Sequence, residues 1–214
     1  MPSQYFLSEF DSKELLRSYG VRTSREAVVH SAEEAIEQSK ILGFPVVLKL
    51  SGPEFSHKTE LNGVKLNLDN ELSIRNAVAD FYENVGGSMP LLISEQVKSS
   101  REFIAGVTRN DEYGLVLAFG IGGILTEVVG DISFRLLPAT RAEIQSMFVE
   151  LENNELLGQV RGELEVDLEQ LIDTLISIGD CALQRSDIVS IDVNPLLISD
   201  GLPIAVDALV EIYE

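Results

Sequence analysis

The chain alternates helix-capping signals with apolar runs that are too short to form helices of their own. Ser31 is followed by Glu34, and Thr140 by Glu143. This is the spacing of a capping box, in which each side chain bonds the backbone N–H of the other at a helix start. Between these signals lie β-rich runs of a few residues, such as residues 44–50. The alternation predicts a mixed α/β fold.

The same signals divide the chain into predicted elements. Helices are predicted at residues 8–19, 31–42, 70–85, 140–151 and 168–183. Strands are predicted at residues 44–50, 64–68, 91–97, 102–108, 114–119, 132–137, 188–193, 196–198 and 204–206. No internal repeat or low-complexity linker interrupts them. We therefore predict one unit made of two lobes, a smaller one over about 22–95 and a larger one over about 1–21 plus 96–214, with a hinge near residues 95–98.

The charge balance excludes one broad class of function. The chain carries 35 acidic and 16 basic residues, a formal net charge of −19. Such a surface repels the phosphate backbone of nucleic acids, so general nucleic-acid binding is not expected. A nucleotide can still bind where a few cations and a metal ion neutralise its phosphates. Lysine is scarce, yet Lys49 and Lys58 lie on either side of His57.

Composition also bears on location. Cys181 is the sole cysteine, so no disulfide can form within the chain and a reducing compartment is expected. The first residues lack the basic and apolar regions of a signal peptide. The longest uncharged stretch, residues 113–126, contains four glycines and is too short to cross a bilayer. We therefore expect a cytoplasmic protein without membrane contact.

The strongest candidate for phosphate chemistry is the segment around His57. Lys49 ends an otherwise apolar strand, where its ammonium must either reach water along the aliphatic stem or meet an anion. Residues 51–63 follow directly and hold glycines, hydroxyl groups, His57 and Lys58. Backbone N–H groups and a lysine in such a loop can bind phosphate, and a neutral imidazole can accept a phosphoryl group. The alternative is an exposed loop histidine without a role, which is the reading given to His30.

Asn194 and Asp207 are the candidate metal ligands. Mg²⁺ prefers hard oxygen ligands and usually takes only one or two of them from protein. If their strands are adjacent, an Asn carbonyl and an Asp carboxylate would face one ion. The alternative is a simple turn at residues 192–196, because Asp, Asn and Pro are all common in turns.

Two further features carry weaker signals. Gly120, Gly122 and Gly123 are either a phosphate-binding loop or an ordinary turn between strands. Arg135 lies inside the predicted strand at 132–137. A buried guanidinium requires an anion, which is either a structural carboxylate or a phosphate.

Taken in order along the chain, these features resemble the ATP-grasp domain of the ADP-forming acyl-CoA synthetases, the family of the ADP-forming acetate–CoA ligases. The ordered set, rather than any single motif, carries the resemblance. The matching segments are residues 7–10, 15–21, 43–49, 57–66, 101–107, 119–124, 133–138, 161–162, 192–195 and 205–208. The resemblance implies a single ATP-grasp domain over residues 1–214, with the nucleotide sandwiched between two sheet-containing lobes.

The resemblance also implies roles for individual residues in binding ATP or ADP. Lys49 would hold the nucleotide phosphates, and the segment from Glu95 to Val97 would meet the adenine edge. Glu102 would lie near the ribose or the phosphates, and Gly63 is a further predicted nucleotide-binding residue.

Metal binding and phosphoryl transfer are assigned in the same way. Asn194 and Asp207 would bind magnesium. His57 matches a histidine that such family members phosphorylate, and Lys58 and Arg135 are predicted to assist it. Asn62 stands where the family usually has glycine, which would re-aim this loop, since Asn tolerates positive φ less readily.

The family reaction interconverts acyl-CoA, ADP and phosphate with the acid, CoA and ATP through a relay of phosphohistidines. No segment of this chain resembles the CoA-binding lobe or the first phosphohistidine domain. We therefore expect an acid–thiol ligase that is active with a CoA-binding α-type subunit in a hetero-oligomer. Two alternatives stay open. One is an ATP-grasp ligase that forms an acyl phosphate for another nucleophile, and the other is a non-catalytic ATP-binding regulatory module.

Overall fold

The computed structural model describes residues 3–52, 63–123, 130–160 and 162–214. These residues form helices and strands that alternate along the chain, as the capping signals predict. The helices are α1 (Glu9–Ser18), α2 (Ala32–Leu42), α3 (Glu71–Val85), α4 (Arg141–Glu150) and α5 (Leu168–Gln184). The strands are β1 (Gln4–Phe6), β2 (Glu26–Val29), β3 (Val46–Leu50), β4 (Val64–Leu68), β5 (Leu91–Glu95), β6 (Glu102–Asn110), β7 (Gly114–Ile121), β8 (Ile132–Leu136), β9 (Ile188–Ser199), β10 (Leu202–Ala205) and β11 (Ala208–Tyr213). A 3₁₀ helix spans Asn154–Leu157.

The chain divides into two compact units by its internal packing. The larger unit comprises Met1–Leu7, Ser12–Thr23 and Lys98–Glu214, and the smaller unit comprises Ser8–Asp11 and Ser24–Val97. In the part of the chain that is described, no helix is long and apolar enough to cross a membrane.

The smaller unit is built on a four-stranded antiparallel sheet in the order β2-β5-β3-β4. Side chains alternate between the two faces of a strand. Val46, Leu48 and Leu50 therefore point together into the core that α2 and α3 complete with residues such as Ile36 and Phe81. Residues 47 and 49 of β3 consequently lie on the sheet face away from these helices.

The larger unit contains a seven-stranded antiparallel sheet in the order β1-β11-β9-β6-β7-β8, with β10 paired to β9. One face carries the apolar core against α4 and α5. There Phe119 stacks on Phe103 with ring centroids 5.4 Å apart and meets the edge of Phe148 at 5.3 Å. Val193 of β9 is fully buried in this core. By alternation, its neighbours Asp192 and Asn194 lie on the opposite face.

The predicted helix starts differ in how completely they are capped. At α4 the box is complete, because Thr140 accepts the Glu143 N–H and the Glu143 carboxylate accepts the Thr140 N–H at 2.7 Å. At α2 only half of the box forms. Ser31 accepts the Glu34 N–H at 3.1 Å, whereas the Glu34 carboxylate accepts the N–H of His30 at 2.8 Å. The helix begins where predicted, but the predicted reciprocal bond from the Ser31 N–H to the Glu34 carboxylate is wrong.

The two strands predicted at 188–193 and 196–198 are in fact one strand of 12 residues, β9. The prediction placed a break at Pro195, since proline cannot donate to a strand ladder. In the structure the neighbouring strand β6 shifts its register between Phe103 and Ala105, opposite this proline. That irregularity accommodates the missing donor and lets β9 continue, so the simple turn considered for this segment is wrong.

Strands β1, β2 and β11 are absent from the sequence prediction, which ended the chain with a strand at 204–206. The pattern in β11 is regular, because Ala208, Val210 and Ile212 are buried and alternate with partly exposed residues. β1 and β2 span only 3 and 4 residues. Such short strands carry too few alternating positions to stand out, and pairing with longer neighbours determines them.

Candidate functional site

Lys49 projects from β3 on the face away from the helices of the smaller unit. The residue is 6% exposed, and its Nζ lies 2.6 Å from Oε1 of Glu9, which is 3% exposed. Glu9 lies in the first turn of α1, a helix that Ser8 caps by accepting the Asp11 N–H at 3.1 Å. The interpretation in which the Lys49 ammonium reaches water is therefore wrong. A carboxylate faces the buried ammonium, as a buried charge requires.

Gly63, the last residue of the predicted phosphate loop, is hydrogen-bonded to the end of β3. Its carbonyl accepts the Leu50 N–H at 2.9 Å, and the next residue, Val64, pairs with Lys49 across β3 and β4. Residues 53–62, and with them His57, Lys58 and Asn62, lie outside the described residues. Their predicted roles stay predictions.

At the end of β5, the side chain of Glu95 and the backbone of the next two residues have different bonding partners. The Glu95 carboxylate accepts both the backbone N–H and the Nε–H of Arg25, each at 2.8 Å. Gln96 donates its N–H to the Pro45 carbonyl at 3.3 Å. Within the described residues, no hydrogen bond involves the backbone of Val97. The Glu95 carboxylate is thus engaged by Arg25, and the predicted contact of residues 95–97 with the adenine edge stays a prediction.

Asn194 and Asp207 lie side by side in the larger unit. The backbone N–H of Asn194 donates to the Asp207 carbonyl at 3.2 Å, and the adjacent pair Val193 and Ala208 is in register between β9 and β11. The adjacent strands on which the metal prediction depended are therefore present. Both side chains offer the hard oxygen donors that Mg²⁺ prefers, so the residues fit this ion.

Asp192 adds negative charge to the same face of β9. Its side chain reaches solvent, yet the surrounding protein removes enough water to raise its pKa, and the Asp207 carboxylate raises that pKa further. Among the described residues, no group of three or more His, Cys, Asp and Glu side chains is arranged to hold a metal on its own. An ion bound at Asn194 and Asp207 would thus complete its shell with water or phosphate, as Mg²⁺ usually does.

Glu102 and the glycine-rich segment meet at one end of β6. The Gly122 N–H donates to the Glu102 carbonyl at 2.7 Å. A Cβ on Gly122 would lie 3.0 Å from the Glu102 backbone, and one on Gly123 would lie 3.4 Å from the Glu102 carboxylate. Gly120 belongs to β7, and residues 124–129 lie outside the described part of the chain. Gly122 and Gly123 thus permit close approach to Glu102. This holds whether the segment is a phosphate-binding loop or an ordinary turn.

Arg135 has a structural carboxylate as its partner. Its guanidinium forms an ion pair with Glu150, with Nη1 at 2.9 Å from Oε2, and donates to the Glu143 carbonyl at 3.1 Å and to Ser146 at 2.7 Å. The hydrogen bond from Arg135 lowers the pKa of Glu150 to about 2, and the hydrogen bond from Ser133 lowers it in the same direction. The geometry favours the structural alternative over the predicted catalytic role, because a phosphate would have to displace Glu150.

Helix α1 carries two buried charged residues that the sequence does not mark as functional. Glu9 and Lys13 share the buried face of α1 with Ser12 and Leu16, and Lys13 is 0% exposed. A signal was present, because these positions follow the helical period and would ordinarily be apolar. Ionisable residues at such positions need an internal partner, which the sequence alone does not identify.

Comparison with known proteins identifies the family to which this architecture belongs. A family model described as an ATP-grasp domain matches residues 2–212. The chain belongs to the ATP-grasp family. Its mixed α/β fold with two sheets is the one predicted, so the predicted fold class is confirmed.

The chain is also similar to named ligases. It is 34% identical over 208 residues to the beta subunit of acetate–CoA ligase [ADP-forming] I of Pyrococcus furiosus, covering 94% of this chain and 90% of that subunit. It is 34% identical over 208 residues to acetate–CoA ligase [ADP-forming] II of Archaeoglobus fulgidus, of which it spans 30%. The predicted resemblance to the ADP-forming acyl-CoA synthetases is thus confirmed.

Among solved structures, the ATP-grasp chain resembles the dinucleotide forming acetyl-coenzyme A synthetase 1 of Ca. Korarchaeum cryptofilum. In its complex with coenzyme A, Ca-AMPCP and HgCl+, the TM-score is 0.91 at 33% identity, covering 98% of this chain and 94% of that one. Another structure of that protein holds coenzyme A and Mg-AMPPCP, with a phosphohistidine segment pointing towards the nucleotide binding site. Its TM-score is 0.85 at 33% identity, with 98% and 93% of the two chains covered.

Proposed function

We propose that this chain is the nucleotide-binding β-type subunit of an ADP-forming acyl-CoA synthetase. The observation that carries the proposal is the two-way coverage of the match to the Pyrococcus furiosus beta subunit, 94% of this chain and 90% of that one. The two compact units would act as the two lobes of one ATP-grasp domain. The reaction is that of an acid–thiol ligase, in which ATP, an acid and CoA give ADP, phosphate and acyl-CoA, or the reverse.

In the proposed step, cationic groups neutralise the nucleotide phosphates. Lys49 pairs with Val64 across β3 and β4, and Gly63 directly precedes Val64. An ammonium beside a glycine-bearing backbone suits phosphate binding. The backbone of Val97 would meet the adenine edge, and Glu102 the ribose. Mg²⁺, when bound, supplies further positive charge for the phosphate oxygens. Neutralisation and positioning provide most of the catalysis in phosphoryl transfer.

Asn194 and Asp207 would hold the magnesium ion. Support comes from the hydrogen bond that joins their backbones and from the oxygen chemistry of both side chains. Each residue has a defined position, one inside β9 and the other directly before β11.

His57 would accept the phosphoryl group. A nitrogen lone pair of its imidazole attacks the γ-phosphorus of ATP, the bond from that phosphorus to the β–γ bridging oxygen breaks, and ADP leaves. Lys58, next in sequence, would offset the added negative charge. The proposal for these two residues depends on the resemblance.

A CoA-binding subunit would complete the reaction by taking the phosphoryl group from His57 to its own acyl site. Support comes from the relatives, since one is named a beta subunit and this chain spans only 30% of another. The proposed location is the cytoplasm, where a single unpaired cysteine stays reduced. Fractionation of cells that express a tagged chain tests it, and recovery outside the cytoplasm would contradict it.

The primary test is covalent labelling with γ-labelled ATP and Mg²⁺. We expect phosphate on His57 that is labile in acid and stable in alkali, as phosphohistidine is, and its loss in His57→Asn. His30→Asn is the matched control, because His30 is the only other histidine and its side chain is exposed. Labelling that persists in His57→Asn would contradict the proposal, as would an ATP-dependent acyl phosphate formed without His57.

A second test addresses the partner. This chain alone should form no acyl-CoA from ATP, acid and CoA, and adding a CoA-binding subunit of the same family should restore turnover in the wild type but not in His57→Asn. Full acyl-CoA synthesis by the isolated chain would contradict the proposed division of labour.

A further inference from the structure

Lys13 is a charged side chain in a place that favours an apolar one. The residue is 0% exposed, on the buried face of α1 beside Leu16. A methionine would fill a similar volume without removing an ammonium group from water, which is costly. Lysine is almost never fully buried unless its charge has a partner. The contacts of the ammonium therefore indicate what it does.

The Lys13 ammonium contacts the segment that carries a proposed metal ligand. Its Nζ donates to the Val206 carbonyl at 3.2 Å, and Val206 immediately precedes Asp207. Both residues lie in the short connection between β10 and β11. A hydrogen bond from a charged donor is roughly twice as strong as one between neutral groups.

The rest of this connection is held by β9. The Val206 N–H donates to the Pro195 carbonyl at 3.3 Å, and the Asp207 carbonyl accepts the Asn194 N–H at 3.2 Å. The Val206 carbonyl accepts the Lys13 hydrogen bond in addition to these two bonds. Because a peptide group is planar, fixing that oxygen fixes the plane that leads into Asp207. With the Asp207 carbonyl held by Asn194 as well, the peptide planes on both sides of Asp207 are anchored, and together they set the direction in which its side chain leaves the backbone.

We propose that Lys13 is a positioning residue for the magnesium site: it anchors the peptide between Val206 and Asp207 and so presents the Asp207 carboxylate to the ion. The inference rests on the proposed metal role of Asp207. Groups that orient a metal ligand typically contribute 10- to 100-fold to metal affinity. Lys13 would affect metal binding and leave the binding of free nucleotide unchanged.

The test is direct titration with Mn²⁺, followed by electron paramagnetic resonance of the free ion, with ADP present. Lys13→Met removes the donor and keeps an unbranched side chain, and we expect its dissociation constant for Mn²⁺ to rise about 10-fold or more. The dissociation constant of ADP without metal should stay within about twofold of the wild type. Lys13→Arg, which keeps a charged donor, should restore part of the affinity.

The matched control is Ser12→Ala on the same helix. Ser12 is also 0% exposed, and its hydroxyl accepts the N–H of Val210, three residues after Asp207. Its loss should lower stability without changing Mn²⁺ affinity. If circular dichroism shows that Lys13→Met does not fold, Lys13→Gln replaces it. The Gln side chain is neutral, and its donor nitrogen is one bond closer to the backbone than Nζ of lysine. The same rise in the dissociation constant for Mn²⁺ is expected.

Asp207→Asn separates the two levels of the proposal. If Asp207→Asn leaves Mn²⁺ affinity unchanged, the metal role of Asp207 is wrong. If Asp207→Asn weakens the affinity while Lys13→Met does not, the metal site stands and the positioning role of Lys13 is wrong. An equal loss in Ser12→Ala and Lys13→Met would also overturn the inference, since a general loosening of α1 would then explain both.

Discussion

Replacing Glu9 by Gln removes the carboxylate that faces the Lys49 ammonium in the smaller unit. The two side chains are 2% and 8% exposed, and Nζ lies 2.6 Å from Oε1. Gln keeps the shape and an oxygen acceptor, so the change removes charge more than contact. Lys49→Met is the complementary change, since it removes the cation and keeps most of the aliphatic stem.

The size of the effect follows from the distance and the burial. At 2.6 Å two unit charges attract by ~6 kcal/mol at an effective dielectric constant of about 20. Desolvation opposes this attraction by several kcal/mol per ion, and removing one partner from a buried pair typically costs about 3–5 kcal/mol. Both side chains make further interactions. We therefore expect each single variant to lose about 3 kcal/mol, at the lower end of that range.

A double-mutant cycle measured by urea unfolding at neutral pH isolates the pair. The double variant Glu9→Gln/Lys49→Met has neither charge left, so its loss should fall short of the sum of the single losses by about 2 kcal/mol. The pair Lys40 and Glu71 is the matched control. Its atoms lie 2.9 Å apart, but the side chains are 58% and 52% exposed, so its cycle should show no measurable coupling.

Additivity would refute this reasoning. If the losses of Glu9→Gln and Lys49→Met add to within about 0.5 kcal/mol in the double variant, the two charges do not depend on each other. Glu9 would then have a role separate from holding Lys49.

Three further outcomes are expected. Gly106→Ala should destabilise the larger unit by about 1–3 kcal/mol, because its Cβ would lie 2.6 Å from a carbonyl oxygen of β9. Gly87→Ala is the control: it has open space around it and should unfold at nearly the wild-type urea concentration. Arg135 holds the pKa of Glu150 below its ordinary 4.5, at about 2, so the stability lost in Arg135→Met should be full above pH 5 and should shrink as the pH falls towards 2; a constant difference across that range would contradict this. Burial raises the pKa of Cys181 to about 11, so a thiol reagent at pH 8 should react only after unfolding, and rapid reaction of the native protein would show an accessible thiolate.

Local chemistry made much of the fold predictable. Residues such as Asn70 and Thr140 mark helix starts by the bonds that they form with residues three positions later, and both signals lie within one helical turn of sequence. The strands that were predicted have several alternating or continuous apolar residues. β9 was predicted in two pieces because Pro195 was weighed without its neighbour, and the register shift of β6 that accommodates it is a tertiary feature.

Some residues of the candidate site could likewise be predicted from local sequence, whereas others depend on contacts that only the fold creates. Asn194 and Asp207 could be named as candidate ligands from the sequence because their side-chain chemistry suits a metal, and their metal role stays a prediction. The partner of Lys49 could not be found, since Glu9 lies 40 residues away and only the folded chain brings them together. Arg135 illustrates the converse, because a lone arginine in a strand predicts an anion without telling phosphate from the Glu150 carboxylate.

The pairing of β1 with β11 has a consequence for protein architecture. Gln4 is opposite Tyr213 in this ladder, and the Glu214 N–H donates to the Ser3 carbonyl at 2.9 Å. Residues 3 and 214 therefore lie beside each other at the edge of the larger unit's sheet. A short peptide joining residues 3 and 214 would close the chain into a ring, and new ends could be opened at the exposed turn around Gly87. By the same geometry, polypeptide attached at residue 3 and polypeptide attached at residue 214 would leave the unit from the same edge of its sheet.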